Sequence, residues 1–277
     1  MTELPISQRT LGELLQSSLT SSFCVSIPQG TPVWVITGML VQYLESFTDS
    51  VVIRDGYTPK GVIGGKDIIE RIFENPSSDF FYKNSVDGIM DTNLLTVTKD
   101  TKLNELLEHW KQTRRAFAII RNEWNDYSAI STRKLLEIGK NCKTDMSISS
   151  LPKKKVITFK KSDSIRDVLN SMLQHKTRRL VLENSSEFVN DRVILEKISE
   201  ELGYLRGIDN FLDLPADDLK LENAKITSRD LTIPEVSEIL FTMEHPYVIW
   251  EDQVISPWDI CIALLSPEVI KFKHNPN

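Results

Sequence analysis

The sequence predicts an α+β protein built from four strand-helix-strand-strand-helix repeats that pack in pairs. Three observations carry the prediction. In the segment VDGIMDTNLLTVTKDTKLNELLEHWKQTRRAFAII, Leu103, Leu106, Leu107 and Trp110 recur at i, i+3, i+4 and i+7, one apolar helix face. Phe117, Ala118, Ile119 and Ile120 follow as an unbroken apolar run, the mark of a buried strand. Stripes of this kind recur three more times, at intervals of about 60–70 residues. A single unit of that size buries too little surface to be stable alone, so pairing is a physical expectation.

The elements follow in order. In the first repeat, 1–78, Thr10-Leu11-Gly12-Glu13 has the spacing of a capping box and starts a helix. Residues 23–27 read as a strand, and Thr31-Pro32 opens a helix with Val33, Ile36 and Leu40 on its face. Strands at 51–53 and 61–63 flank a turn at Asp55-Gly56, and 67–74 is the closing helix. Pro76 marks the join to the second repeat, 79–141. That repeat has a helical turn at 86–90, a strand at 94–98, a helix capped by Thr101, strands at 117–120 and 128–130, and a helix with Leu135, Leu136 and Ile138. In the third, 142–208, a strand at 156–159 leads to Asp163 or Ser164 as cap. The stripe is Ile165, Val168, Leu169 and Met172, before strands at 180–182 and 188–189 and a helix at 193–202. In the fourth, 209–277, Ile226 marks a strand and Thr232-Ile233-Pro234-Glu235 is a second capping box. Ile233, Val236 and Leu240 form its stripe, strands lie at 247–250 and 254–255, and the last helix is 259–265. A polar tail after Pro267 is expected to fray.

Composition narrows the function classes. No apolar run approaches membrane-spanning length, and no basic-then-apolar leader opens the chain. Cys24, Cys142 and Cys261 are odd in number and far apart, which fits a reducing cytoplasm better than a disulfide framework or a zinc site. The net charge of -6 argues against nucleic acid and against anionic membrane surfaces. Lys153-Lys154-Lys155 with Lys160-Lys161 reads as a solvated strand edge, since no interleaved aromatics accompany it. No catalytic motif is present, so an enzyme is not expected.

The second repeat resembles a CBS domain. Val86-Asp87-Gly88-Ile89-Met90 matches that family's opening turn, 96–107 its strand-turn-helix, and 128–136 its final strand-to-helix step. The third and first repeats match less fully, and the fourth diverges. The resemblance implies two intertwined modules, each a pseudo-two-fold pair with a cleft, as in the gamma subunit of AMP-activated protein kinase. Pairing is expected between the first and second repeats and between the third and fourth.

The resemblance also implies a ribose motif, Gly-h-h-Ser/Thr-x-x-Asp with h apolar, at the last strand. A carboxylate accepts hydrogen bonds from vicinal hydroxyls, and a helix start favours anions. Ser256 and Asp259 keep both polar positions of this motif. Asp67 keeps the carboxylate, with Gly64 where the hydroxyl belongs. Lys134 and Val193 replace the carboxylate in the second and third repeats. A basic residue before the middle strand is implied to reach phosphate. Arg114 and Arg178 stand there, against Phe47-Thr48-Asp49 and Glu244-His245-Pro246 in the other two repeats. The implied pairs are Asp67 with Arg114 and Asp259 with Arg178. Each feature has a plainer reading: caps for the acids, surface ion pairs for the arginines, a solvated helix residue for Lys134, packing for Trp258.

The expected function is a non-catalytic regulatory module sensing an adenine nucleotide or adenosyl ligand, with AMP, ADP, ATP or S-adenosylmethionine as candidates and no catalytic cofactor. A regulated protein partner or a second copy of the chain fits the same family. The alternative is a degenerate CBS scaffold for protein partners or self-association, without ligand.

Overall fold

The computed structural model describes residues 4–42, 50–208, 210–269 and 271–272. The chain opens with α1 (Leu11–Leu15), where the Thr10 hydroxyl accepts from the Glu13 N–H and the Glu13 carboxylate from the Thr10 N–H. The first repeat then comprises β1 (Ser26–Pro28), α2 (Val33–Gln42), β2 (Ser50–Asp55), β3 (Thr58–Gly64) and α3 (Gly65–Glu74). After α4 (Ser78–Lys83) come β4 (Thr96–Val97), α5 (Leu103–Thr113), β5 (Phe117–Arg121), β6 (Tyr127–Ser131) and α6 (Thr132–Asn141). The third repeat follows β7 (Cys142–Lys143). It comprises β8 (Thr158–Phe159), α7 (Ile165–Gln174), β9 (Arg179–Leu182), β10 (Glu187–Asn190) and α8 (Asp191–Glu201). The last runs from β11 (Glu222–Asn223) through β12 (Lys225–Thr227), α9 (Ile233–Thr242), β13 (Val248–Trp250), β14 (Gln253–Ile255) and α10 (Pro257–Ala263) to β15 (Lys271–Phe272).

Every repeat builds its sheet the same way. The first strand lies parallel to the second, because the helix between them returns the chain. The second and third strands form an antiparallel hairpin. Some local expectations shift. Ser164, not Asp163, caps α7. The hydroxyl of Thr101 accepts from the Thr98 N–H, and Lys102 takes the cap position of α5. Helix α4 has no counterpart among the expected elements, although it buries Phe80 and Phe81.

The chain forms two compact units. Unit 1 holds the described residues of Met1–Cys24, Leu95–Lys155 and Ala224–Asn277, and unit 2 holds those of Val25–Leu94 and Val156–Asn223. The expected pairing is therefore corrected at the level of the cores. Unit 1 packs Leu103, Leu106, Leu107 and Trp110 of the second repeat with Ile233, Val236 and Leu240 of the fourth. Unit 2 packs Val33, Ile36 and Leu40 of the first with Ile165, Val168, Leu169 and Met172 of the third. The helices decide the partners: α2 packs on α8 in one unit, and α6 on α9 and α10 in the other.

Consecutive repeats are joined differently, by exchanging their opening segments. The opening segment of the first repeat lies on the second, with Leu11 N–H donating to Thr101 O and Leu103 N–H to Arg9 O. That of the second lies on the first, with Val86 N–H donating to Thr31 O and Val33 N–H to Asn84 O. The later repeats repeat the pattern, through Ile148 to Leu231 and Ile233 to Met146, and through Ala216 to Asp163 and Ile165 to Leu214. Each segment then pairs along the last strand of the sheet it has joined: Phe23 with Ser128, Asp91 with Val62, Lys155 with Gln253, and β11 with β10. This explains why β1 starts at Ser26 and not at residue 23: Phe23 belongs to the other unit. Gly61 has a local reason too, because a Cβ there would lie 2.8 Å from the Asp91 carbonyl oxygen.

Candidate functional site

Each repeat ends its last strand at an extended residue that caps the following helix: Gly64, Ser131, Asn190 and Ser256. Three residues on, in the first turn, stand Asp67, Lys134, Val193 and Asp259. The positions read from the sequence therefore fall at a strand-to-helix step in every repeat, and the four differ in what surrounds them.

In the fourth repeat Asp259 is buried. Its Oδ2 accepts from the Ser256 N–H at 2.8 Å and from the Ser256 hydroxyl at 2.7 Å. Its Oδ1 meets Lys154 Nζ at 2.6 Å. Lys154 arrives on the exchanged segment, whose carbonyl accepts from the Val254 N–H. The reading of this lysine run as merely solvated is corrected at Lys154, whose ammonium is engaged. In the first repeat Asp67 accepts from the Gly64 N–H at 2.7 Å. The expected basic counterpart positions Phe47, Thr48 and Asp49 lie outside the described residues.

The second repeat corrects another expectation. Lys134 is buried, not solvated. Its ammonium donates to the Ser21 hydroxyl at 2.9 Å and to Glu137 at 2.8 Å. Beside it, buried Arg133 donates to the carbonyls of Phe241, Met243 and Glu244, closing the C-terminal end of α9. In the third repeat the Asn190 side chain accepts from the Val193 N–H. Buried Asp191, one residue on, receives Arg178 through Nε at 2.8 Å and Nη2 at 2.6 Å. Gly65 sits against this pair, since a Cβ there would lie 2.6 Å from Asp191 Oδ2.

Neither implied acid–arginine pair falls within one unit. Asp67 and Arg178 are in unit 2, whereas Arg114, Ser256 and Asp259 are in unit 1. Arg114 is exposed, follows α5 in the left-handed region (φ 54°), and makes no hydrogen bond or ion pair among the described residues. Sequence reasoning missed Lys154 and Asp191 as partners. It also missed a row of hydroxyls: strand register puts Ser26, Thr96 and Thr158 at one equivalent position, where the fourth repeat has Ile226. The recurring polar-then-apolar pairs Ser26-Ile27, Thr96-Val97 and Thr158-Phe159 were the available signal.

Two of the cysteines, Cys142 and Cys261, are buried. Burial pushes the Cys142 thiol up to about 12. Burial and then the nearby Asp259 charge raise Cys261 well above the ordinary thiol range. Among the described residues no group of three or more His, Cys, Asp or Glu could hold a metal ion, and no helix is long and apolar enough to cross a membrane.

Residues 148–190 match the CBS domain family. The matched segment lies in the third repeat, not in the second, where the motifs resemble the family most fully. Protein MJ1225 from Methanocaldococcus jannaschii, described as a candidate archaeal homologue of g-AMPK, shares the fold at a TM-score of 0.70 with 15% identity. That likeness covers 92% of this chain and 99% of the other. An uncharacterized conserved protein from Pyrococcus horikoshii aligns at 0.50 with 11% identity, over 78% of this chain and 91% of that one. The CBS domain pair of MJ0100, in complex with 5-methylthioadenosine and S-adenosyl-L-methionine, aligns at only 0.35 with 11% identity, over 46% and 91%. At that score the likeness decides nothing about a ligand here. No curated protein matches the sequence. The family match is confined to the third repeat, and the fold shared with MJ1225 extends over most of the chain.

Proposed function

We propose that the chain is a non-catalytic regulatory module that senses an adenine nucleotide or adenosyl ligand, with AMP, ADP, ATP and S-adenosylmethionine as the candidates. One observation carries the reading: buried Asp259 sits with the Ser256 hydroxyl on one oxygen and a cation on the other. A carboxylate with a neighbouring hydroxyl suits the vicinal hydroxyls of a ribose, and a nearby cation suits a phosphate. In this reading Ser256 and Asp259 hold the ribose, and the cation beside them is Lys154. Asp67 marks a weaker second position, because Gly64 supplies no hydroxyl. Ligand acts by favouring one arrangement of the repeats, and only differential affinity for two arrangements can shift them.

Thermal-shift screening and calorimetry with the four candidates test this. Asp259→Ala should weaken every one of them by about ten-fold or more, since charge-assisted hydrogen bonds are worth about 1.5–3 kcal/mol each. Equal AMP affinity in wild type and Asp259→Ala would remove the assignment.

A second reading, a CBS scaffold that binds a protein partner or another copy of itself without ligand, also has an observation in its favour. Lys134 and Asp259 are both buried and both already hold internal partners. Wild type that binds none of the four candidates would make this the better reading.

A further inference from the structure

We propose that Lys154 sets the charge class of the ligand, so that the Ser256–Asp259 position favours phosphate-bearing nucleotides over neutral or cationic adenosyl compounds. The inference rests on the reading of Asp259 as the ribose contact.

The acceptor capacity of Asp259 is the starting point. Oδ2 already receives the N–H and hydroxyl of Ser256, and Oδ1 receives the Lys154 ammonium. A ligand with two vicinal hydroxyls needs room at Oδ1, so it competes with Lys154 directly. The backbone around Lys154 is tied down, through Val254 N–H to its carbonyl and through the bridge from Lys155 to Gln253. Displacement is therefore a swing of the lysine side chain alone. That swing is open to it: the Lys154 side chain is 46% exposed, against 6% for Asp259.

The displaced ammonium decides which ligand gains. A neutral nucleoside breaks the ion pair and offers the ammonium nothing in return. S-adenosylmethionine, with its sulfonium, adds a like charge. A nucleotide phosphate gives the ammonium a new anionic partner, and charge-assisted bonds of this kind are the strong ones. The second repeat shows the contrasting case within the same unit. There the lysine is Lys134 itself, in the place of the carboxylate and bound to Ser21 and Glu137, so a donor stands where the ribose would need an acceptor.

Calorimetric titration of the full chain with AMP, adenosine and S-adenosylmethionine tests the proposal. Wild type should bind AMP at least about ten-fold tighter than adenosine, the worth of one charge-assisted bond. Lys154→Met should bring that ratio towards one, largely by tightening adenosine, and Lys154→Arg should preserve it. Wild type that binds adenosine or S-adenosylmethionine as tightly as AMP overturns the proposal, whether or not Lys154→Met folds. An AMP-to-adenosine ratio unchanged by Lys154→Met overturns it too, but leaves Asp259 as the ribose contact. Binding of none of the three by either protein removes the ribose reading, and this proposal with it.

Discussion

A methyl group added at Gly139 would lie 2.4 Å from the Ser237 Oγ and 2.9 Å from Ile260 Cγ2. Ser237 is fully buried and its hydroxyl donates to Ile233 O at 2.6 Å, so it has nowhere to yield. Gly38 sits in the other unit, where an added methyl group would lie 3.5 Å from Ser199 Oγ, an ordinary contact. Gly139→Ala should therefore cost about 1–3 kcal/mol through overpacking. Gly38→Ala should be neutral or stabilise by up to about 1 kcal/mol through helix propensity. Urea unfolding of the two variants checks the contrast, and an equal loss from both would refute it. At this scale the sequence reveals positions better than partners. The cap and third-residue positions at Gly64, Ser131, Asn190 and Ser256 are legible because that spacing is local. The partners Lys154 for Asp259, Ser21 for Lys134 and Asp191 for Arg178 are not. Two of those three partners ride on exchanged segments, whose register no local pattern reports.

Helix α9 is held from both ends by side chains outside it. At its start the Thr232–Glu235 capping box lies next to Asp230, which accepts from the Ser147 hydroxyl, the Ser149 N–H and the Ser149 hydroxyl. At its end Arg133 donates to the carbonyls of Phe241, Met243 and Glu244. Arg133→Met keeps much of the stem but strands those carbonyls, and a loss of about 2–4 kcal/mol is expected from the missing charged hydrogen bonds. The start of the helix is sensitive to acid. Hydrogen bonds from Ser149 and Ser147 hold the Asp230 carboxyl below its ordinary range, and those from Thr232, with the Arg229 charge, do the same for Glu235. A depressed carboxyl stabilises the fold above its unfolded value, near pH 4, and that contribution disappears as pH falls through the folded value. Asp230→Asn should therefore flatten the decline in urea midpoint on going from about pH 6 to about pH 3. An unchanged acid limb would show that the Ser147–Asp230 cluster contributes nothing to it. The helices are the most legible elements, because an apolar stripe over three turns is a strong periodic signal. The short first strands, two or three residues each, carry almost no period, which is why the sequence pattern sets β1 too early, on the exchanged Phe23.

Over the whole molecule, chain order misleads about core partners. Four repeats are legible, but nothing in a repeat's own stripe says which other repeat will cover it. The covering is done by α8 on α2 and by α9 and α10 on α6, so each core draws on both halves of the chain. Cutting at the boundary between the second and third repeats tests this. The half 1–141 keeps the exchanged opening segments of the first two repeats and so keeps their backbone pairing. It loses Ile233, Val236 and Leu240 from one core, and Ile165, Val168, Leu169 and Met172 from the other. The half 142–277 loses the complementary sets. Burying an apolar side chain is worth about 1.5–3 kcal/mol, so several such losses per core exceed the usual stability of a domain of this size. Each half alone should therefore self-associate through its uncovered helix faces or fail to unfold cooperatively. Mixing the two should recover a one-to-one complex with a single cooperative transition. Sedimentation and urea unfolding of the separate and mixed halves decide the matter. A half that is monomeric and unfolds cooperatively by itself would mean that its two repeats share a sufficient core after all, and that the pairing of first with third and second with fourth is not what holds this chain together.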